Sequence, residues 1–475
     1  MNIISMLQSI HLIMGISKSQ GQTPTEKLLS ELCDKTFLKL WCYANPFKSD
    51  GKELCDLLAV FDNHVFIFFD RESQKFKDNE KDIFLQWSRW EKEVVQKQIK
   101  TAGGACEYIK RYSDKIFLDQ NSTIPFPLTI PSNDIQIHTI IVAHGAKDAC
   151  KDFSSDNIYG SLATSYGKKS RTQLNIPFFI QLDKKNLIHV FDSHNLEIIL
   201  NELDTFHDFS AYLIAKERII NQLDNLVYCG EEDLLANYFA NYDEINNKYF
   251  IGIDNAHVKG ITSISIGEGD WKNFIESTPY KNRKEANKTS YLWDDLIQGT
   301  CEHAFNNSLL GNANIFSPQN AIYEMAKEPR FTRRVLSEKM RSSVKNFTKG
   351  SSGMARHISL MPSFYSDKSY IFLQLYLEDI AKYDYDNEYR RARQKILEIA
   401  CGSAKNKFPH LNKIIGIAID APKFSENNSE DFIFFDCEHW SDEEKVYYEE
   451  ENHSWQFFQS ETLKMEMRTD YEFPE

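Results

Sequence analysis

The chain has 475 residues, enough for roughly two to four domains with real cores. Its 42% hydrophobic and 26% charged residues exclude collagen-like, coiled-coil and broadly disordered classes. A formal net charge of −14 excludes a uniformly basic nucleic-acid coat, but a local basic patch or a metal ion can still receive phosphates on such a chain.

The N-terminal stretch MNIISMLQSIHLIMGIS has no basic flank, and Gln8, Ser9 and His11 interrupt it. It reads as a helix or a tail (1–23) and not as a secretory signal. No apolar run reaches the roughly 18 residues of a membrane span. The nine cysteines are scattered, with no CxxC pair. That argues against a zinc ribbon or a disulfide framework, favours buried small hydrophobes, and fits a reducing cytoplasm.

Residues 24–43 carry Leu28, Leu29, Leu32, Phe37, Leu40 and Trp41 at helical spacing, with Pro24 in the first turn. Next comes GKELCDLLAVFDNHVFIFFDRE (51–72), in which two apolar runs flank DNH. A three-residue turn, Asp62-Asn63-His64, pairs Phe61 with Val65 and sets Asp56 opposite Asp70. Their Cβ atoms would then lie about 5 Å apart on one face. Opposed carboxylates are tolerated when solvated, when one is protonated, or when a hard cation such as Mg²⁺ sits between them. A two-residue turn shifts the register by one and sets Asp56 against Phe69 or Arg71.

Residues 80–112 read as a long helix, kinked or divided at Gly103-Gly104. The Pro-rich segment 119–134 is a candidate boundary. Beyond it lie strand-like runs at 137–145, 176–182 and 187–192, a helix over about 195–226, a strand end and helix over 227–240, and strands at 249–254 and 261–267. Residues 290–347 read as mainly helical. Residues 356–440 read strand, helix, strand, strand, followed by an acidic, aromatic tail. The expected fold class is mixed α/β (α+β), with a domain at 24–118, a middle domain at 135–285 and a C-terminal region at 286–475.

The order helix, strand, strand, helix over roughly residues 20–120, with Glu26 and Glu31 on the helix, Asp56 and Asp70 on the strands and Gln98 on the second helix, resembles the core of the PD-(D/E)xK restriction-endonuclease-like superfamily. The resemblance implies an αββα nuclease-like domain that holds Mg²⁺ through Asp56 and Asp70. Glu26 is its helix acid, with Glu31 as runner-up, and Gln98 matches the helix glutamine of some members. The superfamily's Glu-x-Lys is missing. Arg71 stands nearest the lysine and, always protonated, cannot act as a base, although it can neutralise a phosphate. Glu72, Lys75 or Lys77 would supply the displaced functions. The implied activity is metal-assisted hydrolysis of DNA or RNA, in the manner of a bacterial antiviral defence effector. Two alternatives stand beside it: a degenerate nuclease fold that only binds nucleic acid, and a protein-binding sensor or scaffold that uses the C-terminal region, with possible homo-oligomerisation.

Other features carry competing readings. GEEDLL (230–235) is either acidic capping of a helix start or a site. Residues 325–350, with Arg330, Arg333, Arg334 and Arg341, are the clearest basic segment, followed by Arg390, Arg391, Arg393 and Lys395. Either segment tracks a phosphate backbone or is a solvated face. The histidines of VAHG, HVFDSH and CEHW form no HxxxH, HExxH or HxH pattern and read as structural. GEGDW and GSSG lack a Walker lysine, and no GxSxG elbow occurs.

Overall fold

The computed structural model describes residues 18–77, 82–154, 157–168, 175–252, 260–305, 318–351, 353–427, 429–459, 461, 463–466 and 468–475. The N-terminal stretch up to residue 17 therefore lies outside the described residues. The protein is mixed α/β with several sheets. It forms two compact units, divided between Ser277 and Thr278.

The first unit opens with α1 (Pro24–Phe37), which Thr23 caps by accepting from the Glu26 N–H. Then come β1 (Cys42–Ala44), a short β2 (Phe47–Lys48), β3 (Leu57–Phe61) and β4 (His64–Glu72). The next helix runs as α2 (Ile83–Glu91), a π-type turn over Lys92–Gln96, and α3 (Lys97–Tyr112). The irregularity expected at Gly103-Gly104 thus falls about two turns earlier, and both glycines sit inside α3 with open space around them. β5 (Ile116–Phe117) pairs with β2.

β6 (Gln136–His144), α4 (Lys147–Phe153), β7 (Ala163–Gly167), β8 (Phe179–Asp183) and β9 (Ile188–Asp192) follow. The main sheet has the order β1-β3-β4-β6-β9. Its first three strands are antiparallel neighbours, whereas β4, β6 and β9 run parallel. The segment 119–134, expected as a boundary, therefore lies inside this unit: β6 pairs with the hairpin strand along its whole length.

The strands are apolar because the sheet is covered on both faces. On one face Leu58, Val60, Val65, Ile67 and Phe69 pack with Ala102, Ala105 and Ile109 of α3. On the other, Phe66 and Phe68 meet Phe37 of α1 and Phe209. That last ring belongs to α6 (Phe206–Gln222), which follows α5 (Asn195–Glu202). A second sheet, β13-β10-β7-β8, is completed by β10 (Asn225–Tyr228) and β13 (Ser263–Ile266). Between these two strands lie α7 (Glu231–Ala240) and the ribbon of β11 (Tyr242–Asp243) and β12 (Lys248–Tyr249), and α8 (Asp270–Glu276) closes the unit.

The hairpin register corrects the expectation. Leu57 pairs with Phe68 and Phe61 with His64, so the turn has two residues, Asp62 and Asn63. Asp62 takes a φ of 55°, the left-handed value that a two-residue hairpin turn needs at its first central position. Asp56 and Asp70 are therefore not directly opposed.

The second unit holds α9 (Thr278–Asn287), α10 (Tyr291–Phe305), α11 (Pro318–Ala326) and α12 (Arg330–Asn346). A four-stranded sheet follows, β14 (Met354–Pro362), β15 (Lys368–Leu377), β16 (Lys413–Asp420) and β17 (Glu430–Asp436), in that order. α13 (Arg390–Lys407) makes the crossover between the parallel β15 and β16, and α14 (Asp442–Glu451) packs on it.

Candidate active site

Four carboxylates gather at one end of the main sheet's central strands. Glu26, in the first turn of α1, accepts from the Gln22 N–H at 2.7 Å and from Asn45 Nδ2 at 3.2 Å. The same Asn45 amide donates to Glu53 Oε1 at 2.6 Å, so one side chain ties two acids together. Partial burial raises the Glu53 carboxyl above its ordinary value, Asn45 eases the shift, and Glu26 adds to it.

Asp56 stands one residue before β3, and its carboxylate accepts the Asp70 N–H at 2.6 Å. Burial pushes it up to about 7. The Asp70 N–H works against that shift, while the charges of Glu53, Glu26 and Asp70 reinforce it. Asp70 itself is buried. His144 Nε2 lies 2.6 Å from its Oδ1, and the Thr25 hydroxyl donates to its Oδ2. His144 Nδ1 in turn meets Ser193 Oγ at 2.9 Å. Asp70, His144 and Ser193 come from the C-terminal ends of three adjacent parallel strands, β4, β6 and β9.

Arg71 is exposed beside this cluster. With its amide oxygen toward the guanidinium, Gln98 accepts from Arg71 Nε and Nη2 at 2.8 and 3.1 Å. Glu26, Asp56 and Asp70 are thus tied to one another by hydrogen bonds or charge, and Arg71, held by Gln98, acts on Glu53 through its charge. Glu72 ends β4 exposed, Glu31 is exposed on α1, and Lys75 makes an exposed ion pair with Glu93 at 2.9 Å. The side chain of Lys77 lies outside the described residues.

The basic segment is corrected. Arg330, Arg333 and Arg334 are buried. Arg330 and Arg333 clamp Asp294 at 2.7 and 2.6 Å, and Arg334 donates to Asn287 and to the Tyr471 and Glu472 carbonyls. They hold the second unit together and present no phosphate-binding face, whereas Arg341 remains exposed. Arg393 is likewise buried between Asp420 and Asp431.

The acids of GEEDLL also have specific partners. Glu231 pairs with the buried Lys216 at 2.7 Å, and Asp233 accepts the Gly269 and Trp271 N–H groups. Glu232 accepts the Ser161 hydroxyl at 2.5 Å, while its other oxygen is buried without a hydrogen-bond partner among the described residues. Burial and the charge of Asp192 push Glu232 up to about 8.

Sequence reasoning missed Glu53, Asn45, Thr25 and His144 at the acid cluster, and the histidines at the opposite ends of the strands. The available signal was a polar residue inside an otherwise apolar strand: His138 in IHTIIV, His189 in IHVF and His64 at the start of HVFIFF. Among the described residues, three metal-ligand atoms within 4.8 Å of one another occur at His138, His189 and Glu217, not at the acids. No family model, curated protein or solved structure matches the chain.

Proposed function

We propose that the chain is a Mg²⁺-dependent nuclease, acting on DNA or RNA, whose site is the acid cluster at the strand ends of the main sheet. The observation that carries this reading is the gathering of Glu26, Glu53, Asp56 and Asp70, with Asn45 joining Glu26 to Glu53 and the Asp70 N–H on the Asp56 carboxylate at 2.6 Å. Such a group is costly unless protons or a cation relieve it. The order helix, antiparallel strands, helix, parallel strand, with Glu26, Asp56 and Asp70 drawn together, supports a restriction-endonuclease-like core.

The donor set is all oxygen, which fits Mg²⁺. Its looseness fits too, because Mg²⁺ commonly takes one or two carboxylates and completes its shell with water and substrate phosphate. Asp56 and Asp70 would hold the ion, with Glu53 and Glu26 adding negative charge around it. When bound, the ion polarises the phosphate and lowers the pKa of a bound water. Thr25 and His144 fix the Asp70 carboxylate, which retains lone pairs for a ligand. Arg71, braced by Gln98, faces solvent where a phosphate oxygen can reach it.

The test is cleavage of DNA and RNA by the full chain with Mg²⁺, wild type against the double variant Asp56→Ala, Asp70→Ala. Loss of cutting with an unchanged circular-dichroism spectrum is expected, and unchanged cutting sinks the proposal. Arg71 favours a second reading, since a guanidinium supplies no base where the superfamily has lysine. On that reading the chain binds nucleic acid without cutting it, and wild type shows salt-sensitive binding with no product under any divalent ion.

A further inference from the structure

The opposite ends of the main sheet's strands hold a different cluster. His64 opens β4, His138 lies near the start of β6, and His189 near the start of β9. α6 supplies Glu217, which meets His138 and His189. We propose that His138, His189 and Glu217 form a binding site for one transition-metal ion of the Zn²⁺ class, with His64 as the group that orients His138.

Three separate elements supply the donor atoms. His138 Nδ1 lies 2.8 Å and His189 Nε2 3.1 Å from the same Glu217 oxygen. Ligands about 2.0–2.1 Å from a tetrahedral zinc are about 3.3 Å apart, so small shifts of these side chains admit the ion. Two imidazole nitrogens and one carboxylate select zinc or a neighbouring metal over Mg²⁺, which prefers oxygen throughout.

The surroundings point the same way. His138 and His189 are buried, and Phe66 stacks on His138 at 4.8 Å. Among the described residues no lysine or arginine forms an ion pair with Glu217: its neighbour Lys216 is committed to Glu231. A bound cation would supply the counter-charge for the carboxylate.

His138 Nε2 meets His64 Nδ1 at 3.0 Å. This is the kind of far-side hydrogen bond that fixes the ring and tautomer of a ligating histidine. Glu217 is half-buried, which leaves an entry path for the ion and room for water as a fourth ligand. The ion would pin α6 to the sheet, away from the acid cluster, and this assignment stands whether or not that cluster cuts nucleic acid.

The experiment uses the full chain, produced with zinc and purified without chelators or metal-affinity resin. Elemental analysis is expected to find about one zinc per chain, and chelation to lower the thermal midpoint by several degrees. Co²⁺ added to the stripped chain is expected to give a visible absorption of tetrahedral type. His189→Leu and Glu217→Gln should lose both the zinc and the absorption. A wild-type chain that carries no zinc, takes up no Co²⁺ and melts identically with Zn²⁺ or chelator overturns the site without reference to any variant. A folded Glu217→Gln variant with the full cobalt spectrum overturns the ligand assignment.

Discussion

At the residue scale, Asp70 has more to do than the sequence suggested. Its two oxygens engage His144 and Thr25, and His144 continues to Ser193. If His144 positions a metal-binding carboxylate, His144→Ala lowers Mg²⁺-dependent cleavage by about 10–100-fold, whereas Ser193→Ala leaves it within a few-fold. The opposite pattern, with Ser193→Ala abolishing a hydrolytic activity that needs no metal, would make the line an acid, a base and a nucleophile. Glu232 offers a pH test independent of the metal. Its folded pKa is raised to about 8 against about 4.3 in an unfolded chain. The folded state therefore holds the proton more tightly, and stability falls as pH rises from about 4.3 to about 8. The size is on the order of 5 kcal/mol. Glu232→Gln can still accept from Ser161 and carries no charge. Denaturant melts at pH 5, 7 and 9 should show it more stable than wild type at pH 9 and level with it at pH 5; parallel curves would reject the assignment.

At the scale of elements, the joint between β6 and α4 matters most, because it carries His144. Gly145 has φ 93°, and an added Cβ would lie 2.1 Å from the Ser73 carbonyl oxygen. Gly145→Ala therefore strains the backbone and drives apart the ends of β4 and β6. A loss of about 2 kcal/mol or more is expected, together with weaker cleavage. Gly267→Ala is the control, since nothing lies within 4 Å of its added Cβ and its melting point should hold. The same joint explains what was legible in the sequence. Apolar runs and helical spacing revealed α1, β3, β4, β6, β9 and the α2–α3 helix, because each buries a continuous face. The register was not legible: a one-residue change in the turn flips every pairing, and only the left-handed φ of Asp62 decides it. Glu26, Asp56 and Asp70 were legible as acids at the ends of elements. Glu53, Asn45 and His144 were not, because they reach the cluster from the loop before β3, the residue after β1 and the far end of β6.

At the scale of the whole molecule, charge distribution separates the roles of the two units. The richest basic segment lies in the second unit and is spent internally, with Arg330 and Arg333 sharing Asp294. Arg333→Ala leaves Asp294 paired with Arg330 but strips a buried donor from its other oxygen and from the Glu328 and Ala326 carbonyls, so it should cost about 1–3 kcal/mol or more in denaturant melts. It should leave the affinity of the folded chain for nucleic acid unchanged. If the acid cluster is the nucleic-acid site of a chain of net charge −14, a bound cation carries most of the attraction for phosphate, with Arg71 beside it. In chelator, binding of DNA or RNA should be weak. Ca²⁺ should restore binding without cutting, and Mg²⁺ should restore both. Because few lysines and arginines would then release counterions, the slope of log K against log salt should be shallow, on the order of −1 to −3, and not the steep slope of a basic coat. Tight binding in chelator with a steep slope would move the nucleic-acid contact away from the acid cluster and onto exposed cations such as Arg341 and Arg391.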